Sequence, residues 1–302
     1  MISSQTLCPR PPFEFWHALA FLKRFPPTLG ERLVLDGAVL GAARVAGRTL
    51  GFSVRETDGG DAPSLRCSLQ ADGPLTPEQT VAALDRIGDW LGVQDDLTPL
   101  YRLAEADPPF LAVVQRLYGY HQVRFFTPFE NACWAVLGQR TPLSAARAAK
   151  HRLMERFGGA ATLEGHRLLA FPEPADLADA PVRELADMVA SARKADRLLG
   201  IAQAFAVTAP ASFQQMTTDD LRAWLLALPG IGPWSASFIL IRGFGRPDAP
   251  LAVGAAQTFD RELLDAARAV YGANLTADGL RSLSERYAGW VGYWGHYLRV
   301  AA

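Results

Sequence analysis

Apolar positions along this chain change their period once. From about Thr98 onward they recur at helical spacing, in FENACWAVLGQ, SAARAAKHRLMERFG, RELADMVASARKADRLLGIAQAF, TDDLRAWLLAL, DRELLDAARAVYG and ADGLRSLSERYAGW. Gly158-Gly159 and Gly272 read as helix stops, and Asp219 and Thr276 as caps. Before Thr98 the pattern is shorter and mixed. PFEFWHALAFLKRFP has apolar positions that fit a helix or a strand entry. RLVLDGAVLG, ARVAGRTLGFSVRE and SLRCSLQ are short Val/Leu/Gly-rich runs, broken by Asp36-Gly37, Gly47 and the turn-like stretch TDGGD at 57–61. They predict antiparallel strands of a small sheet. Thr76, Pro77 and Gln79 form a capping-box start for a helix running to about Trp90, which would cover that sheet. The expected fold class is α+β: an N-terminal α+β domain over 1–97, then an all-helical domain over 98–302.

Composition narrows the function classes. Among 302 residues, 30 Lys and Arg face 31 Asp and Glu, a net charge of -1, with 49% hydrophobic residues. That is a globular composition, long enough for a sizeable core and about two domains. It argues against a polybasic nucleic-acid binder while leaving room for a local basic face. Cys8, Cys67 and Cys133 are widely spaced and include no CxxC, which excludes a zinc knuckle and a four-cysteine iron–sulfur cluster. The opening MISSQTLCPRPPFEFW lacks the basic and apolar regions of a signal peptide, and no run of about 18 apolar residues appears. A cytoplasmic, monomeric chain with no membrane contact is expected. The five histidines, His17, His121, His151, His166 and His296, are scattered, and no Ser-His-Asp set or P-loop competes for attention.

The most informative segment is Leu228-Pro229-Gly230-Ile231-Gly232-Pro233-Trp234-Ser235-Ala236. One helix, about 219–227, ends there and another, about 234–242, begins. The glycines permit backbone angles closed to other residues and let the loop approach a partner. Free amides at the next helix's N-terminus suit a phosphate and need little net charge. The same spacing also serves a tight helix–helix turn with nothing bound.

LPGIGPWSASFILIRGFG resembles the helix-hairpin-helix of the DNA glycosylase superfamily, with the bacterial 3-methyladenine DNA glycosylase II type as its nearest branch. Phe129-Glu130-Asn131-Ala132 through Leu137-Gly138-Gln139-Arg140, then Ser144-Ala145-Ala146-Arg147, is similar to the family's FE…ILGQ…AAR segment. Glu285-Arg286-Tyr287-Ala288-Gly289-Trp290, with Tyr293-Trp294, resembles its C-terminal block. The opening segment and its strands resemble the small TATA-box-protein-like domain that precedes the catalytic helices. The resemblance implies a partner, duplex DNA carrying damaged bases, and a reaction: flipping a nucleotide and cutting its N-glycosidic bond. It also implies a monovalent cation at the hairpin carbonyls and no other cofactor.

Site residues follow from the matched positions. Gly230, Ile231, Gly232 and Pro233 would hold the phosphate. Trp234 and Phe238, four apart on one helix face, and Trp290 match aromatics that line the base pocket, where an electron-rich face attracts a cationic alkylated base. Each also fits plain core packing. Trp234 stands where bifunctional members carry a Schiff-base lysine, which predicts a monofunctional enzyme. Gln139 and Arg140 match the loop that enters the minor groove, with Arg140 in place of an apolar wedge. From Arg140 to Arg156, five basic residues (Arg140, Arg147, Lys150, Arg152, Arg156) face the single acid Glu155, a run that could follow a phosphate backbone or simply be a solvated helix face.

The catalytic carboxylate is less direct. The family supplies an Asp at the start of the helix after the hairpin, commonly six residues past an earlier loop Asp. Six residues past Asp248 stands Gly254. A six-residue insertion within LAVGAAQT brings the role to Asp260, which opens the next amphipathic helix with Leu263 as its first inward residue. An anion there would stabilise an oxocarbenium-like transition state. An Asp at a helix start is equally an ordinary cap, and Glu262 is a lesser substitute. The expected activity is removal of alkylated purines of the 3-methyladenine type. The alternatives are a catalytically inert damage binder of the same fold, lacking the aspartate, and a helical scaffold for a protein partner.

Overall fold

A computed structural model describes residues 2–57, 62–251 and 261–302. The N-terminal part is a five-stranded antiparallel sheet built from β1 (Ile2–Leu7), β2 (Leu33–Leu35), β3 (Ala38–Val45), β4 (Arg48–Glu56) and β5 (Leu65–Gln70), in the order β1-β5-β4-β3-β2. The ambiguous opening segment forms a helix, α1 (Phe15–Leu22). α2 (Pro77–Leu91) starts as expected: the Thr76 hydroxyl accepts from the Gln79 amide, the Gln79 side chain accepts from the Thr76 amide, and Pro77 opens the first turn. It lays Ala83, Ile87, Trp90 and Leu91 on one face of the sheet, against Val39, Ala43, Phe52 and Val54.

The other face corrects the expectation of an all-helical remainder. A short hairpin, β6 (Ala160–Leu163) and β7 (His166–Leu169), follows Gly159 and covers that face. Ala38, Leu40 and Ala42 pack on Leu163, Leu168 and Ala170. Alternating side chains of β3 therefore point to two different cores, which is why the strand reads as an apolar run from Ala38 to Ala43. The hairpin turn, Glu164-Gly165, has both residues at positive φ, the conformation of a two-residue turn between twisted strands.

The remaining elements are helices: α3 (Thr98–Ala104), α4 (Pro108–Arg116), α5 (Pro128–Leu137), α6 (Leu143–Leu153), α7 (Pro174–Ala178), α8 (Val182–Val189), α9 (Ala192–Val207), α10 (Pro210–Gln215), α11 (Thr218–Leu226), α12 (Pro233–Arg242), α13 (Arg261–Tyr271), α14 (Ala277–Glu285) and α15 (Val291–Ala301). α5 is buried from Phe129 through Leu137 and forms the axis of the largest core, packed against α6, α9 and α12. A second helical core joins α3 and α4 to α13, α14 and α15. At its centre the Asp107 carboxylate accepts from the hydroxyls of Tyr271 and Tyr287, both at 2.8 Å. Thr276 caps α14 as expected, by accepting from the Gly279 amide. Asp219 does not cap α11: Thr217 does, and Asp219 lies in the first turn, favourable to the helix dipole. No described helix is long and apolar enough to cross a membrane.

Candidate nucleic-acid interface

The hairpin forms where its glycines and proline place it. Leu228 and Ile231 are buried in the main helical core, so Ile231 offers a partner its backbone and not its side chain. Gly230 has φ 82°, and a Cβ there would meet Arg197 Cδ at 2.5 Å. Gly232 is the N-cap of α12, and a Cβ added to it would meet nothing within 4 Å. Pro233 opens the helix, and no side chain caps its first turn. The Trp234 and Ser235 amides thus remain for an outside acceptor, at the positive end of the helix dipole.

The loop after α5 is wired to this hairpin. Gln139 Nε2 donates to the Gly230 carbonyl at 2.8 Å, and Arg197 Nη1 of α9 donates to Gln139 Oε1 at 2.6 Å. Lys194 Nζ, one turn earlier on α9, donates to the Leu137 carbonyl at 2.6 Å and to the Thr141 hydroxyl. Burial, with Arg197 nearby, lowers the Lys194 pKa from its ordinary value. Gln139 is consequently spent inside the protein, as a strut between two turns. The exposed residue of the pair is Arg140, held at φ 50° in the left-handed region that non-glycine residues rarely occupy.

Between loop and hairpin helix lies a cavity of about 380 Å³, walled by Trp134, Gly138, Gln139, Leu143, Trp234 and Phe238 among others. Trp234 is 40% exposed, unusual for so large an apolar side chain. Its ring stacks on Phe238 with centroids 5.3 Å apart and planes 14° apart. Phe238 meets Phe125 edge-on at 5.9 Å, and Phe125 meets Phe25 edge-on at 5.5 Å. Phe25 in turn stacks on Phe21 at 4.8 Å. An aromatic wall thus runs from the hairpin helix to α1. Phe21 and Phe25 escape a reading of the sequence by motif: Phe21 stands in the last turn of α1 and Phe25 just beyond it. Trp134 hides in an apolar run, and Lys194 and Arg197 look like ordinary charges of a helix face.

Two expectations change. Trp290 does not line this cavity. It precedes α15 and packs on Tyr293, centroids 5.6 Å apart, within the C-terminal core. The basic run is also largely consumed. Lys150 is fully buried, with Nζ 2.6 Å from Glu130 Oε1 and 2.7 Å from Glu31 Oε2. Arg156 pairs with Glu184, Arg152 donates to the Met188 carbonyl and Arg147 to the Leu29 carbonyl. These contacts tie α6 to its neighbours, and Arg140 alone of the run has no ion-pair or hydrogen-bond partner among the described residues.

Asp260 and Gly254 lie outside the described residues. Asp248 is structural: its carboxylate accepts from the Thr218 hydroxyl at 2.7 Å and ties the loop after α12 to the start of α11. Glu262 is exposed on the first turn of α13.

Comparison with known proteins places this arrangement. Residues 133–275, from the middle of α5 through the hairpin to α13, match the family model of the HhH-GPD superfamily base excision DNA repair proteins. The chain is 32% identical over 165 residues to the DNA-3-methyladenine glycosylase of Bacillus subtilis, covering 54% of each chain. It is 33% identical over 188 residues to a probable bifunctional transcriptional activator/DNA repair enzyme AlkA of Mycobacterium tuberculosis, covering 61% of this chain and 36% of that one. The chain thus spans about half, or less, of the length of these relatives. In fold it is similar over 98% of its length to the 3-methyladenine DNA-glycosylase from Archaeoglobus fulgidus, with a TM-score of 0.75 at 19% identity and 97% of that chain covered. The hairpin and the helices around it are thus the part of the chain that is similar to the HhH-GPD superfamily of base excision DNA repair proteins.

Proposed function

We propose that this protein is a monofunctional DNA glycosylase that flips damaged bases out of duplex DNA and hydrolyses the N-glycosidic bond of alkylated purines of the 3-methyladenine type. The observation that carries the reading is the half-exposed Trp234, stacked on Phe238 at the mouth of a cavity beside the hairpin. A flipped base is an apolar disc with polar edges, and a stacked aromatic platform is what receives it. The names of the relatives from Bacillus subtilis and Mycobacterium tuberculosis point to the same chemistry.

In this reading the Trp234 and Ser235 amides, presented by Gly232 and Pro233, hold a backbone phosphate on one side of the lesion. Arg140 enters the minor groove and fills the gap left by the flipped base. Trp234 and Phe238 hold the base. Asp260 stabilises the positive charge that develops on the sugar and orients the attacking water. Alkylation makes the base a good leaving group, so a site built of aromatics and one carboxylate suffices. The monovalent cation expected at the hairpin would be held by backbone carbonyls. Those of Leu228 and Gly230 each accept one donor, from Ile231 and Gln139, and keep a second lone pair. With the Ile231 carbonyl they form an oxygen-only donor set that fits an alkali cation, and bound there it would add positive charge beside the phosphate.

Incubating the purified protein with alkylated duplex DNA tests this reading. Free methylated purine and an unbroken strand carrying an abasic site are expected. Strand cleavage by β-elimination would overturn the monofunctional assignment, since Trp234 stands where the nucleophilic amine would be.

A further inference from the structure

Trp134 stands in the last turn of α5 and lines the cavity beside the hairpin, together with Trp234 and Phe238 of α12. Only 8% of it is exposed. Its indole N–H has no hydrogen-bond partner among the described residues. A buried tryptophan normally finds one. Trp294, in the C-terminal core, does so by donating to the Tyr271 hydroxyl at 3.2 Å. The Trp134 nitrogen is not sealed in the core, so its donor is left open at the cavity wall.

The polar neighbours in the lining are already engaged. The Gln139 side chain is held between the Gly230 carbonyl and Arg197, and the Thr141 hydroxyl donates to the Gln139 carbonyl at 3.0 Å while accepting from Lys194. The Ser235 hydroxyl has no partner among the described residues, but it can donate or accept and so imposes no sense on a ligand. The indole N–H only donates. The Lys150 ammonium lies 5.9 Å from the Trp134 ring centroid, yet Glu130 and Glu31 both pair with it, so it adds no net positive charge to a wall that would meet a cationic base. A purine in this cavity is therefore walled by aromatic rings from two helices and meets one open, donor-only group. We propose that Trp134 is a specificity-determining residue that walls the base cavity from the α5 side and donates its indole N–H to N1 or N7 of the flipped purine. These are the ring nitrogens that 3-methyladenine leaves bare. In 7-methylguanine N7 carries the methyl group and N1 a hydrogen, so neither accepts and the indole N–H stays unpaired. The proposal rests on the glycosylase reading above and deepens it, by selecting among alkylated purines on where the free lone pair lies.

Binding of stable lesion analogues, measured apart from cleavage, tests it. Three duplexes serve as probes. The first carries 3-methyl-3-deazaadenine, which resists cleavage and keeps N1 and N7. In the second a C–H group also replaces N1, and in the third it replaces N7. The full-length wild type is expected to bind the first duplex about 2- to 12-fold more tightly than one of the other two, the range of one hydrogen bond, and the weaker duplex identifies the nitrogen. Trp134→Phe, which keeps an aromatic wall and removes the N–H, is expected to lose that preference. Equal affinity of the wild type for all three duplexes overturns the inference without recourse to any variant. So does a Trp134→Phe protein that keeps the wild-type preference, since a merely structural tryptophan would change stability and leave the ratio alone. Failure of the proposed function shows separately, as absence of base release from alkylated DNA, and leaves the binding ratios readable.

Discussion

Gln139 Nε2 reaches the Gly230 carbonyl at 2.8 Å and joins the loop after α5 to the hairpin between α11 and α12. The two turns that would face DNA on either side of the lesion are thereby one unit, with Arg197 holding the far end of the same amide. Replacing Arg197 by Ala leaves Gln139 Oε1 without its charged donor, at a cost of about 1–3 kcal/mol. We expect the Arg197→Ala protein to remain folded, with base release slowed about tenfold or more and weaker binding to undamaged duplex. Single-turnover release and a gel-shift titration check this. An unchanged pair of constants would mean that the strut does not position the loop.

Trp234 separates binding from stability. Because it is 40% exposed, Trp234→Ala is expected to move the melting temperature by only a few degrees. Loss of one base–aromatic stack is worth about 1–3 kcal/mol, or roughly a 5- to 150-fold loss of lesion affinity. Trp234→Phe, which keeps a stacking face, is expected to recover most of it. Thermal melts and lesion-duplex titrations read the two effects apart.

Lys150 behaves in the opposite way. It is fully buried between Glu130 and Glu31 and bridges α5, α6 and the chain after α1. Lys150→Met leaves two carboxylates facing one another without a cation, at a cost of about 3–5 kcal/mol. Denaturant unfolding measures that loss. Since the residue cannot reach a phosphate, the salt dependence of DNA binding is expected to be that of wild type wherever the variant folds. With Arg147, Arg152 and Arg156 also engaged within the protein, the overall slope of log affinity against log salt should be shallow, roughly one unit per phosphate contact.

Stability is expected to fall on mild acidification. His296 and His17 are both lowered from their ordinary value of 6.5 in the fold, chiefly by burial, with Arg242 and Arg299 adding to the effect at His296. The unfolded chain takes up protons below pH 6.5 that these folded rings refuse. Their contribution is therefore complete above that value and is lost as pH falls, at up to roughly 1.4 kcal/mol per unit for each fully neutral ring. Urea unfolding at pH 7.5 and 5.5 should show the decline, and His296→Gln should flatten it. A variant as steep as wild type would contradict the burial argument.

How much of this was legible in the sequence follows from which signals are local. Thr76, Pro77 and Gln79 announce a helix start because the capping box spans three residues. Leu228 to Trp234 announce the hairpin because glycine and proline act on their own backbone. Lys150 looked like a solvated charge because its partners stand 20 and 119 residues away, beyond any spacing rule. The β6–β7 hairpin is only eight paired residues within a helical stretch, and the packing of β3 against it is what makes it worthwhile. Trp290 matched a motif, but a motif fixes position along a block and not the direction of a side chain, and packing on Tyr293 decided that. Arg242 is an arginine in an apolar helix, a mismatch visible in FILIRGFG, but the rings its guanidinium packs on, Phe21 and Phe25, stand more than 200 residues earlier.

The most direct test of the central claim is release of free methylated purine from alkylated duplex DNA by wild type and Asp260→Asn, side by side under single-turnover conditions. We expect the wild type to release the base and leave an intact abasic strand, and Asp260→Asn to be slower by about 100-fold or more, the scale of losing one charged group that acts on the transition state. Equal rates in the two proteins would contradict the assignment of Asp260, and no release by the wild type would contradict the glycosylase reading itself.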